Sequence, residues 1–306
     1  MSDRPETDAL SDILRKMRLK AEVYARPDFC GTWAVDTSGH RKVAFHLIER
    51  GSGWLHTEDG VPPTQMVTGD LVIFPHDAPH SLGSSEVPPD ASLLNQGPPE
   101  VLSGPVTSLL CGFFEFQSKA AWPLLDGLPP MVLLDLKKSS GLGGTQTLLQ
   151  LIVGELERGQ PGTDAVINEL AYVLFIHVLR SQMEQGLSAG MLCALADAKI
   201  GRALNLMHAD LAGEWSVDTL AAEIAMSRSA FAKRFRDLTG LTPMRYLAEW
   251  RMHEAQDLLQ RSELSMAEIA FQTGYQSEAA FRKAFKSIVG EPPGRVRRHA
   301  IAQAAG

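Results

Sequence analysis

"MSRSAFAKRFRDLTGLTP" (residues 226–243) and "QSEAAFRKAFKSIVGEPP" (residues 276–293) are one segment written twice. At an offset of 50, Ser227/Ser277, Ala230/Ala280, Phe231/Phe281, Lys233/Lys283, Phe235/Phe285, Gly240/Gly290 and Pro243/Pro293 coincide. A shorter match precedes each copy, Ala221 with Ala270 and Ala225 with Gly274, at an offset of 49, so the second turn holds one extra residue. Each unit reads as a short helix, a tight turn at Ala225-Met226 or Gly274-Tyr275, and a second helix capped by a serine. The small residue at 221 or 270 lets two helices cross closely. The Phe231/Phe235 and Phe281/Phe285 pairs, at i,i+4, bury the second helix on the first.

The outward face of that second helix carries Arg228, Ser229, Ala232, Lys233 and Arg236 in one copy, and Glu278, Ala279, Arg282, Lys283 and Lys286 in the other. A charged, solvated face is the ordinary explanation for one copy; the same cores and the same exposed lysine in both argue for a shared task. Between them, "TPMRYLAEWRMHEAQDLLQRS" starts with a Thr242 cap and Pro243 in the first turn. About 17 helical residues give a rod of roughly 25 Å, suited to holding two recognition helices about one DNA turn apart.

Residues from about 195 to 300 resemble the DNA-binding domain of AraC/XylS-type transcription regulators. The resemblance includes the closing "GEPPGRVRR" (290–298), with Val296 where tyrosine is usual. It implies that Ser229, Ala232, Lys233, Glu278, Ala279, Arg282 and Lys283 face bases. Arg228, Arg236 and Lys286, with Arg234, Arg245, Arg295 and Arg297, are assigned to phosphates or the core edge.

The net charge of −7 does not oppose this reading, because it is unevenly spread. Residues 1–196 hold 14 Lys+Arg against 23 Asp+Glu, and residues 197–306 hold 15 against 13. No apolar run approaches the roughly 20 residues of a membrane span. The first residues lack an apolar signal core, and three cysteines suit a reducing compartment. A cytoplasmic protein with no membrane partner is expected.

The front of the chain, about Ala21 to Phe116, shows short apolar runs separated by Gly, Pro and Asp, the pattern of a sandwich or barrel. "GDLVIFPHDAPH" (69–80) resembles the second cupin motif, with Gly69, Pro75 and His80 in place and Asp77 where glycine is usual; the first cupin motif is degenerate. A narrower resemblance, to the cupin-type sensor of one branch of AraC regulators, rests on Cys30 with Trp33, on His46, on Gly69 to His80 and on Cys111-Gly112. Three readings stay open. His46, His80, Cys30 and Cys111 converge on zinc or another divalent metal; Cys30 and Cys111 form a redox pair; or all four are simply buried. His76 is a spare ligand, and His56, His177 and Cys193 read as structural or incidental.

The expected fold is α+β. A cupin-like jelly-roll barrel sensor covers 1–135, a helical dimerisation and linker region 136–190, and an all-α double helix-turn-helix domain 191–306. The partners expected are promoter DNA, a second copy of the chain through the apolar segment "GTDAVINELAYVLFIHVLRSQMEQG" (162–186), and RNA polymerase if it activates. The alternative is a metal-dependent cupin enzyme, an oxygenase or isomerase, with a helical appendage.

Overall fold

The structure is a computed structural model, and it describes residues 8–17, 19–57, 61–99, 103–116, 122–135, 143–186 and 190–304. The chain divides into two compact units. One is residues 17–187; the other joins residues 188–306 to the first 16 residues.

The first unit is built on two antiparallel sheets. The larger runs β1 (Leu19–Ala25), β9 (Val106–Phe116), β4 (Val43–Arg50), β7 (Asp70–Phe74) and β10 (Val132–Asp135), with β2 (Asp28–Cys30) also on β9. The smaller runs β3 (Ala34–Asp36), β8 (His80–Gly83), β5 (Ser52–Thr57) and β6 (Thr64–Val67). Phe29, Trp33, Ile48, Leu55, Met66, Val72, Phe74, Leu82, Leu109 and Cys111 fill the core. Alternation along β9 sends Leu109 and Cys111 into that core and Phe114 and Phe116 to the other face, where they pack on Phe175. The Cys111-Gly112 pair has a steric reason: a Cβ at Gly112 would collide with the Phe45 ring and lie 2.5 Å from the Glu22 carbonyl oxygen.

A short helix, α2 (Trp122–Leu125), lies between β9 and β10 in the chain and buries Leu124 and Leu125. The helices α3 (Gly143–Arg158) and α4 (Thr163–Glu184) pack on each other, and α4 also packs on β1, where the Ala21 N–H donates to Asn168 Oδ1 at 2.7 Å. They therefore belong to the barrel unit, and the expected separate region 136–190 is not a body of its own. Beyond Gly83 the connection to β9 is described over 84–99 and 103–105. Its one regular turn, a 3-10 helix at Ala91–Leu93, is followed by Asn95, whose side chain grips the backbone of Asp36 on both sides.

The second unit is helical: α5 (Met191–Ala196), α6 (Ile200–Ala209), α7 (Val217–Glu223), α8 (Arg228–Thr239), α9 (Pro243–Arg261), α10 (Met266–Gln272), α11 (Glu278–Val289) and α12 (Pro293–Ala304). The doubled segment forms two helix-turn-helix pairs, α7/α8 and α10/α11, on the rod α9. Phe231, Phe235, Phe281 and Phe285 are fully buried, and Ser227 and Ser277 cap α8 and α11 through the N–H groups of Ala230 and Ala280. Thr242 caps α9, whose 19 residues span about 28 Å. Val296 packs in the core of the second pair, beside Phe281 and Phe285, as a residue replacing tyrosine at a packing position should.

The turns differ as the offset requires. Ile224, Ala225 and Met226 separate α7 from the Ser227 cap, whereas Thr273, Gly274, Tyr275 and Gln276 separate α10 from Ser277. Ala225 and Gly274 both adopt the left-handed conformation, at φ 51° and 78°. That conformation strains alanine by about 1 kcal/mol, so Ala225→Gly is expected to raise the melting temperature of this unit by a few degrees. Calorimetry of the full chain checks this; a lower melting transition would contradict it.

The N-terminus departs from expectation. The first residues are predicted to open the sensor, yet α1 (Ala9–Met17) groups with the helical unit through residues 9–16. The Ala9 N–H donates to Asn205 Oδ1 at 2.8 Å, Lys16 pairs with Glu254, and the Asp12 carboxylate lies 2.8 Å from His208 Nδ1. His208 Nε2 meets the buried Tyr246 hydroxyl at 2.7 Å, so both ring nitrogens are used.

Candidate nucleic-acid interface and barrel site

Of the residues assigned to DNA, Arg228, Ser229, Lys233, Arg236, Ala279, Arg282, Lys283 and Lys286 are exposed, and Ala232 and Glu278 are half-buried, all on the faces of α8 and α11 opposite the phenylalanines. Three carry local ion pairs: Arg282 with Glu278 at 2.6 Å, Lys233 with Asp237 at 2.6 Å, and Arg228 with Asp218 on α7 at 3.2 Å. Exposed pairs of this kind are weak, about 0–1 kcal/mol, and yield readily to a phosphate or a guanine edge. Arg236, Lys283 and Lys286 have no ion pair among the described residues. Two of the arginines given to phosphates or the core edge make core-edge contacts. Arg234 pairs with Asp197 before α6, and Arg297 donates from Nη2 to the Leu264 carbonyl while its Nε is buried.

In the barrel, His46 on β4 and His80 at the start of β8 bring their Nε2 atoms to 3.0 Å of each other, and Thr37 Oγ1 lies 2.9 Å from the first and 3.1 Å from the second. His46 is fully buried and His80 nearly so, with Phe74 stacked on the His80 ring at 3.6 Å. Burial drives His46 down to about 3 and lowers His80 as well, so both imidazoles are neutral at physiological pH. The tautomers then follow. His80 Nδ1 must donate to the Ala78 carbonyl at 2.7 Å, which leaves its Nε2 an acceptor. His46 must carry its proton on Nε2, facing that acceptor and Thr37. Its Nδ1 lone pair is buried with no partner. The Tyr24 hydroxyl and the Cys111 thiol stand near this group, and burial raises the pKa of both.

The expected four-ligand set does not assemble. Cys111 lies directly across from His46 in the β4–β9 ladder, but Cys30 pairs with Val106, five residues along β9 from Cys111. At about 3.3 Å per residue that is roughly 16 Å, far beyond zinc geometry and beyond the roughly 4–7 Å between Cα atoms that a disulfide needs. Among the described residues no three His, Cys, Asp or Glu side chains are grouped to hold a metal ion. Neither zinc nor a Cys30–Cys111 bond fits this arrangement. His76 and His56 are engaged by the carbonyls of Leu128 and Ser85, both at 3.0 Å.

Burial pushes the Cys111 thiol up to about 12, so its thiolate is scarce at pH 8. Iodoacetamide at pH 8 is expected to label the half-exposed Cys30 and Cys193 well before Cys111, as peptide mass spectrometry would record; equal rates would contradict the closed barrel.

Asp77, where the cupin motif has glycine, is left-handed (φ 53°), the conformation glycine would supply. Its carboxylate accepts the N–H groups of Gly39 (3.0 Å) and Arg41 (2.5 Å), fastening the 37–42 loop that carries Thr37. Tyr24 and Thr37 do not stand out in the sequence, because a tyrosine in an exposed-looking alternation and a threonine in a turn carry no motif.

Residues 8–184 match a cupin domain family, and residues 220–299 match a helix-turn-helix domain family. An AraC-like transcription regulator of Streptomyces lividans is 32% identical over 300 residues, covering 95% of this chain and 98% of its own. The chain belongs to the AraC family. The transcriptional regulator MtrA of Neisseria gonorrhoeae is 31% identical over 264 residues, covering 83% of this chain and 85% of its own. Among solved structures, the DNA-binding domain of AdpA in complex with a target DNA is 35% identical, covering 33% of this chain and 92% of that one, with a TM-score of 0.33. This AraC-family chain is thus a DNA-binding transcription regulator with a cupin domain, and not an enzyme. The oxygenase or isomerase alternative is overturned by relatives that are named as regulators. Among the described residues, no helix is long and apolar enough to cross a membrane.

Proposed function

We propose that this regulator is effector-responsive: α8 and α11 occupy promoter DNA, and the barrel takes up a small uncharged molecule bearing a hydrogen-bond donor. The observation that carries the sensor half is the buried Thr37–His46–His80 ring with its unmet acceptor at His46 Nδ1. A barrel selected for stability alone would fill this place with apolar side chains, because unmet buried polar groups each cost about 1–3 kcal/mol. Two neutral imidazoles offer no charge to balance an ion, and the surrounding Phe74, Val72 and Leu82 favour an apolar body. A donor hydroxyl or N–H on the effector would satisfy the lone pair.

The dimer reading is supported by Leu151 on α3 and by Val166 and Val173 on α4, all large apolar residues left exposed. In this reading the working form is a homodimer in the cytoplasm, with RNA polymerase as a further partner at promoters it activates.

The test is selection of bound sequences from random DNA by the full chain, followed by a thermal-shift screen of alcohols, polyols and phenols. Sequence enrichment is expected, as is at least one compound that raises the melting temperature of the wild type but not of Thr37→Val. No enrichment would defeat the operator reading; stabilisation that survives Thr37→Val would defeat the barrel site.

A further inference from the structure

The rod α9 has a side chain that holds both helix-turn-helix pairs at once. Arg251, near its middle, donates from Nε to the Leu211 carbonyl at 2.7 Å and from Nη2 to the Gly213 carbonyl at 2.8 Å. Both carbonyls belong to the loop that leads into α7. The remaining amino group, Nη1, reaches the Gly274 carbonyl at 3.4 Å, and the guanidinium lies 5.9 Å from the centre of the Tyr275 ring. Gly274 and Tyr275 form the turn between α10 and α11. A planar fork of five donors is the only side chain able to serve three carbonyls in this way.

Two independent features fit the same purpose. A Cβ on Gly274 would stand 2.7 Å from Arg251 Nη2 and 2.9 Å from the Ala212 carbonyl oxygen. The second turn therefore needs glycine, although the first accepts Ala225 in the same left-handed conformation. The one extra residue of the second turn is Tyr275, the ring beside the guanidinium, and Gln276, which matches Met226, points its carboxamide at Glu214, just before α7, at 3.5 Å. The change of offset from 49 to 50 thus falls where the second pair meets the loop of the first.

We propose that Arg251 is a positioning residue that sets the phase between the two recognition helices, and so the permitted spacing between the base sets they read. A straight rod fixes a distance along its axis but does little to stop each pair rolling around it. One base pair of DNA advances by about 3.4 Å and turns by about 35°, so even a small roll changes which spacing fits. The proposal rests on the reading that α8 and α11 each contact bases.

The experiment uses the full chain with its selected DNA site, and with the same site carrying one base pair inserted or deleted between the two halves. Wild type is expected to lose affinity about thirtyfold on the altered spacings. Arg251→Met should lose less than about fivefold on them, with base preferences inside each half unchanged. Arg251→Lys, which keeps the charge and a smaller donor set, should fall between and covers the case in which Arg251→Met does not fold. A spacing penalty equal to wild type in whichever variant folds would overturn the lock, even if overall affinity dropped. Absence of any sequence preference in wild type would instead defeat the reading of bases by α8 and α11, which separates the two failures.

Discussion

Phe281→Ala is expected to remove about 3–5 kcal/mol of stability from the helical unit, enough to melt the second helix-turn-helix pair near physiological temperature. Phe281 is fully buried, T-shaped to Tyr275 at 5.9 Å and tilted on Phe285 at 5.6 Å, in a core shared with Met252, Ala255, Leu259, Ile269, Ala270 and Val296. Few neighbours can collapse into the space, because that core joins three helices and the rod. Loss of the ring should therefore unseat α11 and abolish sequence-specific binding, while non-specific attraction through the remaining basic residues persists at low salt. Circular dichroism melts beside DNA titrations at two ionic strengths would report both. Specific binding undiminished in Phe281→Ala would show that α11 contributes nothing to recognition.

Arg282→Ala should act on recognition with little change in stability. Arg282 is exposed on α11, and its ion pair with Glu278 is of the weak surface kind. If the guanidinium reads a guanine, its removal costs about 1–3 kcal/mol, roughly 5- to 150-fold, and relaxes preference at one position only. Lys286→Ala is the internal control: removing an ammonium that binds phosphate weakens all sequences alike and lowers the salt slope by about one. A uniform weakening in Arg282→Ala would move that residue from base reading to phosphate binding. The Glu278 pairing adds a complication that the sequence did not suggest. Paired through one oxygen and one N–H, the carboxylate keeps spare acceptors and the guanidinium spare donors, so under the proposed reading the two would meet one base pair together.

The helical half was legible because its information is local. Cap serines, i,i+4 phenylalanines and the duplicated spacing each act within a turn or two of their own position, and the rod is a single helix. The barrel was legible as a class, from short strands and the Gly69–His80 motif, but its polar centre was only half visible. His46 and His80 stood out as residue types, whereas Thr37 and Tyr24 join them only through the pairing of β1 with β9 and the fastening of the 37–42 loop by Asp77. The convergence of Cys30 with Cys111 failed for the same reason. Strand register decides which side chains meet, and β2 pairs with β9 five residues away from Cys111. The placement of α1 had no local signal at all, since Asp12 meets a histidine 196 residues further on.

That meeting of Asp12 with His208 has a consequence for how the chain is made. The first helix leaves the ribosome with Ile13 and Leu14, both buried in the finished protein, and its anchors on α6 and α9 do not yet exist. At about 5–20 residues per second, the 237 residues from Arg18 to Glu254 take on the order of 10–50 s to synthesise. The barrel can close during that interval, while α1 waits for α6 and α9 to be made before it can take its place in the helical unit.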